Sequence, residues 1–143
     1  PIPNRPEFFG EQTLLDSEDE PVGTEPRLLL TALDLTIGQL TRDINAAGGL
    51  AVPAHINRGA NGLLVNLGML PPDEHFAALE VSSAVPAPDC DTGAYKLLYS
   101  SDAHCLENIA EREYFLNVPE CSSKGLFEYL CACRERVWSA NFC

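Results

Sequence analysis

Three short stretches carry side chains suited to metal or phosphate chemistry, and each stands where an apolar run gives out. His55 follows residues 50–54, Glu80 lies within residues 76–81, and Asp102 with His104 follows residues 96–99. In α/β proteins, ligands and catalytic groups gather at the carboxyl ends of strands, because the loops there open into one crevice. The three addresses are therefore expected to converge. Asp102-Ala103-His104 is the sharpest of them. Residues two apart on extended backbone project to one side, so a carboxylate oxygen and an imidazole nitrogen can reach one ion past a small alanine. A capping aspartate beside a surface histidine is the plainer reading of the same tripeptide. Arg58, followed by Gly59, Asn61 and Gly62, offers a guanidinium that could hold a phosphate bidentately while loop N–H groups approach it. A tight loop with a surface arginine is its plainer reading. Asn57 and Ser101 are lesser candidates, and His75 reads as a solvated loop residue.

The elements that must position these groups follow an α/β rhythm. Thr36 and Gln39 have capping-box spacing, and Ile37, Leu40, Ile44 and Ala47 recur at helical period until Gly48-Gly49 stops them, which predicts a helix over 37–47. Residues 50–54 then read as a short strand buried on both faces, with Pro53 tolerable only near its end. Residues 76–81, 96–99 and 114–118 are expected as further strands, and 62–70 and 106–112 as short helical pieces. Residues 123–137 read as a closing helix with an apolar stripe of Leu126, Leu130, Cys133 and Val137, and with Arg134 and Arg136 toward its negative end. Tyr95, Tyr99, Tyr114, Phe115, Phe127 and Trp138 fall within these patterns and are expected in the core. Ahead of them, a Pro-rich start leads to apolar runs at 12–15 and 27–33 separated by an acidic stretch, a hairpin-like excursion with a solvated tip. The expectation is one domain over 1–143: an acidic hairpin-like segment at 1–34, then α/β units over 35–143.

Composition narrows the function classes. With 143 residues and 45% hydrophobic content but no heptads, no Gly-X-Y period and no apolar run of membrane length, the chain reads as a soluble globular domain without membrane segments. The formal charge is −12, and seven acids (Glu7, Glu11, Asp16, Glu18, Asp19, Glu20, Glu25) precede residue 26. A surface of that sign repels phosphate backbones, which argues against bulk nucleic-acid binding. An anionic substrate would need a local cationic site, and a bound divalent metal is the simplest source of one. Pro1 brings no initiator Met, basic n-region or apolar h-region, so no secretory signal is expected. The six cysteines contain no Cys-x-x-Cys pair, and a chain this long can bury a core without staples, so reduced thiols and a cytoplasmic setting are expected. A zinc module on Cys121, Cys131, Cys133 and Cys143 is a weaker alternative.

Taken together, Gly48-Gly49-Leu50-Ala51-Val52-Pro53-Ala54-His55, Ala78-Leu79-Glu80-Val81 and Leu98-Tyr99-Ser100-Ser101-Asp102-Ala103-His104 resemble the later motifs of the PHP (polymerase and histidinol phosphatase) family of metal-dependent phosphoesterases. The similarity spans roughly residues 6–118. It implies part of a distorted (β/α)7 barrel holding two or three divalent ions, zinc, manganese or iron, at the carboxyl ends of its strands. By matching motif, His55, Asp102 and His104 would be metal ligands, and Glu80 would line the pocket behind them or on the substrate side. The implied activity is hydrolysis of a phosphate monoester or diester through a metal-activated water, on a small phosphorylated substrate or short nucleotide. The family's early His-x-His strand has no counterpart here, and three ligands do not close a multi-metal cage. The chain thus reads as the C-terminal half of a longer protein, by itself weak in metal binding, nearly inactive and open to homo-oligomerisation through exposed sheet edges. The rival expectation is a catalytically inactive scaffold or regulatory module of the same descent.

Overall fold

The structure, a computed structural model, describes residues 2–72 and 74–140, with side chains through Arg134. The chain divides into two compact units, Pro1–Leu35 and Thr36–Cys143.

The first unit opens with one helical turn, α1 (Pro6–Phe9), where proline at the start gives up an N–H that would have no helical partner anyway. An antiparallel hairpin follows, β1 (Thr13–Leu15) paired with β2 (Pro21–Thr24). The sequence predicts residues 27–33 as the second arm; the partner instead comes from the acidic stretch. Asp16 explains the shift, since its Oδ1 accepts the backbone N–H groups of Glu18 at 2.8 Å and Glu20 at 3.0 Å and so closes a tight turn immediately after β1. Glu25 pairs with Arg27 at 2.7 Å, and that guanidinium holds the Glu25 carboxyl down at about 2.

The second unit begins with α2 (Ile37–Ala46), and here the capping box forms as its spacing predicts. Thr36 Oγ1 accepts the Gln39 N–H at 3.2 Å, while Gln39 Oε1 accepts the Thr36 N–H at 2.9 Å. Next come α3 (Leu63–Leu67), β3 (Leu79–Ser82), β4 (Leu97–Ser100), a 3-10 turn at Leu106–Asn108 and α4 (Ser123–Ala140). Gly68 stops α3 in the left-handed region, φ 74°, which glycine enters without steric cost. β3 and β4 run parallel, with Leu79 opposite Leu97 and Ser82 opposite Ser100.

The expected (β/α)7-type barrel is overturned. The described residues form four helices and two separate two-stranded sheets, and no sheet closes on itself. Residues 50–54 lie beside β3 without becoming a strand. Ala51 O accepts the Ala77 N–H at 2.9 Å and Pro53 O accepts the Glu80 N–H at 3.0 Å, contacts two residues apart on one side and three on the other, so the ladder loses register. Pro53 also has no N–H to give back. Residues 114–118 are not a strand either: Tyr114 and Phe115 are exposed, and no strand among the described residues pairs with them. The connection from β3 to β4 contains no helix, so the βαβ unit expected between parallel strands is missing its crossover helix. The helical turn expected over 106–112 shrinks to Leu106–Asn108.

The core forms two clusters, one on β3 and one on the residues just before it. Leu79 and Val81 join Ala51, Ile56 and Phe76, with Ile44, Leu63 and Leu64 from the helices leaning on them. Ala77 and Ala78 meet Leu130 of α4, flanked by Leu50, Val52 and Leu98. Of the stripe predicted for α4, Leu130 and Cys133 are buried and Leu126 is exposed; Val137, Arg136 and Trp138 fall outside the described side chains. Arg134 is not at the helix end, because α4 continues past it, and its guanidinium donates to Asn45 Oδ1 at 3.1 Å. Tyr95, half-buried, donates its hydroxyl to Glu74 O at 2.5 Å, and burial raises its pKa with Glu74 adding to the shift. No helix among the described residues is long and apolar enough to cross a membrane.

Candidate functional site

Parallel register is what gathers the candidate residues. Because Ser82 and Ser100 face each other at the ends of β3 and β4, the loops that leave the two strands start side by side. Residues 53–56 join them through β3: Pro53 accepts from the Glu80 N–H, and Ile56 N–H donates to Glu80 O at 2.9 Å. The Glu80 side chain completes this junction. Its Oε2 accepts the backbone N–H of His55 at 3.1 Å and its Oε1 accepts the Ser100 hydroxyl at 2.5 Å. One carboxylate therefore holds the loop before α3 against the end of β4.

Asn57 makes a second clamp. It donates Nδ2 to Ser82 O and Pro86 O, both at 2.9 Å, and accepts the Ser82 N–H at 2.9 Å. These bonds use its amide on the backbone, which makes its role here the holding of loops. Ser83 fixes the far side of the same junction, donating its N–H at 2.7 Å and its hydroxyl at 3.0 Å to Ser100 O.

Two of the expected metal ligands sit on strained backbone. His55 has φ 28° and Asp102 φ 51°, conformations that cost an ordinary side chain about 1–3 kcal/mol and persist only where the surroundings enforce them. For His55 the enforcement is visible in the Glu80 carboxylate on its N–H. The His55 ring is half-buried and its Nδ1 is buried with no hydrogen-bond partner. Buried ring nitrogens are ordinarily satisfied, so an orphaned one suits a ligand.

Asp102 and Arg58 form an ion pair across the two loops, with side chains 18% and 45% exposed. His104 is exposed and its Nδ1 lies 2.9 Å from Asp102 O, which leaves Nε2 to face outward chemistry. A cleft of about 340 Å³ opens between Arg58, Ser82, Ser101, Asp102, His104 and Asn108. In the 3-10 turn that follows, Glu107 has its carboxyl held below the ordinary range by its own N–H and the Cys105 thiol.

The expected convergence is thus partial. Arg58, Asp102 and His104 share one cleft, Glu80 lies behind it as the tie between loops, and His55 is joined to that tie through its backbone. Among the described residues no three His, Cys, Asp or Glu side chains are placed to hold one ion. Of the three expected ligands, Asp102 is taken by Arg58, His104 stands on the same cleft, and His55 keeps a buried ring nitrogen without a partner but does not line that cleft. His75 takes no part in the cleft, and of the four cysteines of the alternative zinc module Cys143 lies outside the described residues.

Ser100, whose hydroxyl donates to Glu80, is a residue of this junction that sequence reasoning missed; the signal available was its place at the end of an apolar run. Tyr99 and Tyr114 are a correction. Both were expected in the core, yet their rings stack at 4.2 Å with 13° between planes and stay 38% and 53% exposed. Phe115 and Phe127, expected inside, are exposed as well. Compared with protein-family models, with curated proteins and with solved structures, the chain matches none of them. The likeness to metal-dependent phosphoesterases rests on the three motifs alone.

Proposed function

We propose that this cleft binds a phosphate ester and takes part in its metal-dependent hydrolysis, with His55, Asp102 and His104 as part of the ligand set and the remaining ligands supplied from outside the described side chains. The observation that carries the reading is the gathering of Arg58, Asp102 and His104 on one cleft, and the buried, partnerless Nδ1 of His55 on the loop tied to it by Glu80 adds support. A divalent ion contributes Lewis acidity toward water and toward phosphoryl oxygens.

The chain's own part follows from the Arg58–Asp102 pair. A guanidinium binds two phosphate oxygens in the same forked geometry that it offers a carboxylate, so an arriving phosphate competes with Asp102 for Arg58. A cation competes with Arg58 for Asp102 in the same way. Substrate and metal would then each take one partner of an existing pair, and neither leaves an uncompensated charge behind. Glu80 and Ser100 hold the two loops at fixed separation throughout.

The test is calorimetric titration of the 143-residue chain with zinc and manganese. Weak, saturable binding is expected, reduced about tenfold or more by His55→Ala and by Asp102→Asn. Binding indifferent to both changes, or no binding, refutes the assignment. The second outcome would favour the rival reading of a catalytically inactive module, for which Arg58 occupying the Asp102 carboxylate is the specific support.

A further inference from the structure

The stacked tyrosines lie beside the phosphate cleft, and neither the motifs nor the proposed chemistry uses them. A second cleft, about 250 Å³, is bounded by Tyr99, Tyr114, Ser83, Ser101, Glu111 and Arg112, with Glu113 at its margin. Ser101 also lines the Arg58 cleft, so the two hollows adjoin at one residue. Their shared boundary is pinned by the two hydrogen bonds from Ser83 to Ser100 O.

We infer that the tyrosine end is a subsite for a flat heteroaromatic ring, and that the ester recognised at Arg58 is of the nucleotide class. The inference rests on the phosphoester reading of the Arg58 cleft and adds the substrate's other half. Two rings stacked at 4.2 Å close their inner faces, so a third ring can join only on an outer face. Tyr114 is the more exposed of the two, 53% against 38%, and is taken as the platform. Charge fixes the orientation. Glu111 and Glu113 outnumber Arg112 at the tyrosine end and disfavour an anionic group there, whereas Arg58, once drawn from Asp102, attracts one at the other end. A ligand with a phosphate at one end and a neutral ring at the other therefore has one favoured direction. The carboxylates and Arg112 also give the rim acceptors and donors for the edge of a ring bearing amino and carbonyl groups, while the stack itself tolerates any base.

Calorimetry on the full chain with two probes, ribose 5-phosphate and adenosine 5′-phosphate, tests this. The nucleotide should bind about 5- to 100-fold more tightly than the sugar phosphate, the range a single base–aromatic stack supplies. Tyr114→Ala should erase that advantage and leave the ribose 5-phosphate affinity unchanged, Tyr114→Phe should keep it, and Arg58→Ala should weaken both probes alike. If ribose 5-phosphate binds through Arg58 but the nucleotide binds no better, or if Tyr114→Ala weakens both equally, the ring subsite is refuted and the phosphate cleft survives. If neither probe binds, both readings fall together.

Discussion

Replacing Glu80 tests the joint on which the candidate site depends. The carboxylate accepts two hydrogen bonds, from the His55 N–H at 3.1 Å and the Ser100 hydroxyl at 2.5 Å. Hydrogen bonds to a charged acceptor contribute about 1.5–3 kcal/mol each, and partial exposure of Glu80 puts both toward the low end, so Glu80→Ala removes about 3 kcal/mol. Against that, His55 sits at φ 28° partly because Glu80 holds it, and relaxing such a residue returns up to about 1 kcal/mol. The expected net loss is about 2–3 kcal/mol, a large share of the about 5–15 kcal/mol that domains possess. Ser100→Ala removes one of the two bonds and should cost about 1.5 kcal/mol. Urea unfolding measures both, and exchange of the His55 amide hydrogen reports the joint itself, since that N–H loses its acceptor only in the Glu80 variant. A Glu80→Ala chain within about 0.5 kcal/mol of the parent, the scatter of ordinary surface substitutions, with unchanged His55 exchange, would refute the view that this carboxylate fastens the loops.

Two further outcomes follow from local geometry. A Cβ added at Gly62 would lie 2.0 Å from the Arg58 carbonyl oxygen, whereas one added at Gly59 meets nothing within 4 Å. Gly62→Ala should therefore cost about 2 kcal/mol or more in a thermal melt and displace Arg58 from Asp102, while Gly59→Ala should stay within about 0.5 kcal/mol; equal effects would contradict the packing. In the first unit, the Glu25 carboxyl is lowered from 4.5 to about 2 by Arg27, so the pair's stabilisation is complete above 4.5 and drains away as pH falls from there through 2. A carbon-13 titration should show that low midpoint and its return to the ordinary value in Arg27→Ala; an ordinary midpoint in the parent would sink the assignment.

What was legible in the sequence had local causes. The Thr36–Gln39 box needs only residues three apart, and α2 begins where that spacing puts it. The hairpin was half legible: β1 stood out as an apolar run, but its partner is set by the Asp16 turn, a polar signal buried in a stretch that reads equally well as a solvated tip. The failures are non-local. Residues 50–54 and 114–118 have strand composition, and composition cannot say whether a neighbouring chain supplies a matching ladder. For the first, an irregular register and Pro53 prevent it; for the second, Tyr114 stacks on Tyr99 instead. The expectation of part of a barrel multiplied these errors, since even part of one requires successive parallel strands joined by crossover helices.

The candidate site was more legible than the fold because it depends on less. Grouping Arg58, Asp102 and His104 beside Glu80 requires one parallel pair in register and one loop fastened to it, and that much survives without a barrel. A strand end followed by a polar residue fixes an address whatever lies on the sheet's far side. The sequence could not show occupancy within that address. Arg58 and Asp102 are 44 residues apart and meet as an ion pair, while the His55 ring nitrogen is left without a partner. That asymmetry has chemical meaning. Under the proposed metal site, one ligand is held by an internal cation and another has an unpartnered ring nitrogen, so a metal would have to displace Arg58 before using both. Phosphate, by drawing Arg58 away, would make that displacement easier, and metal affinity should therefore rise when a phosphate ester is already bound.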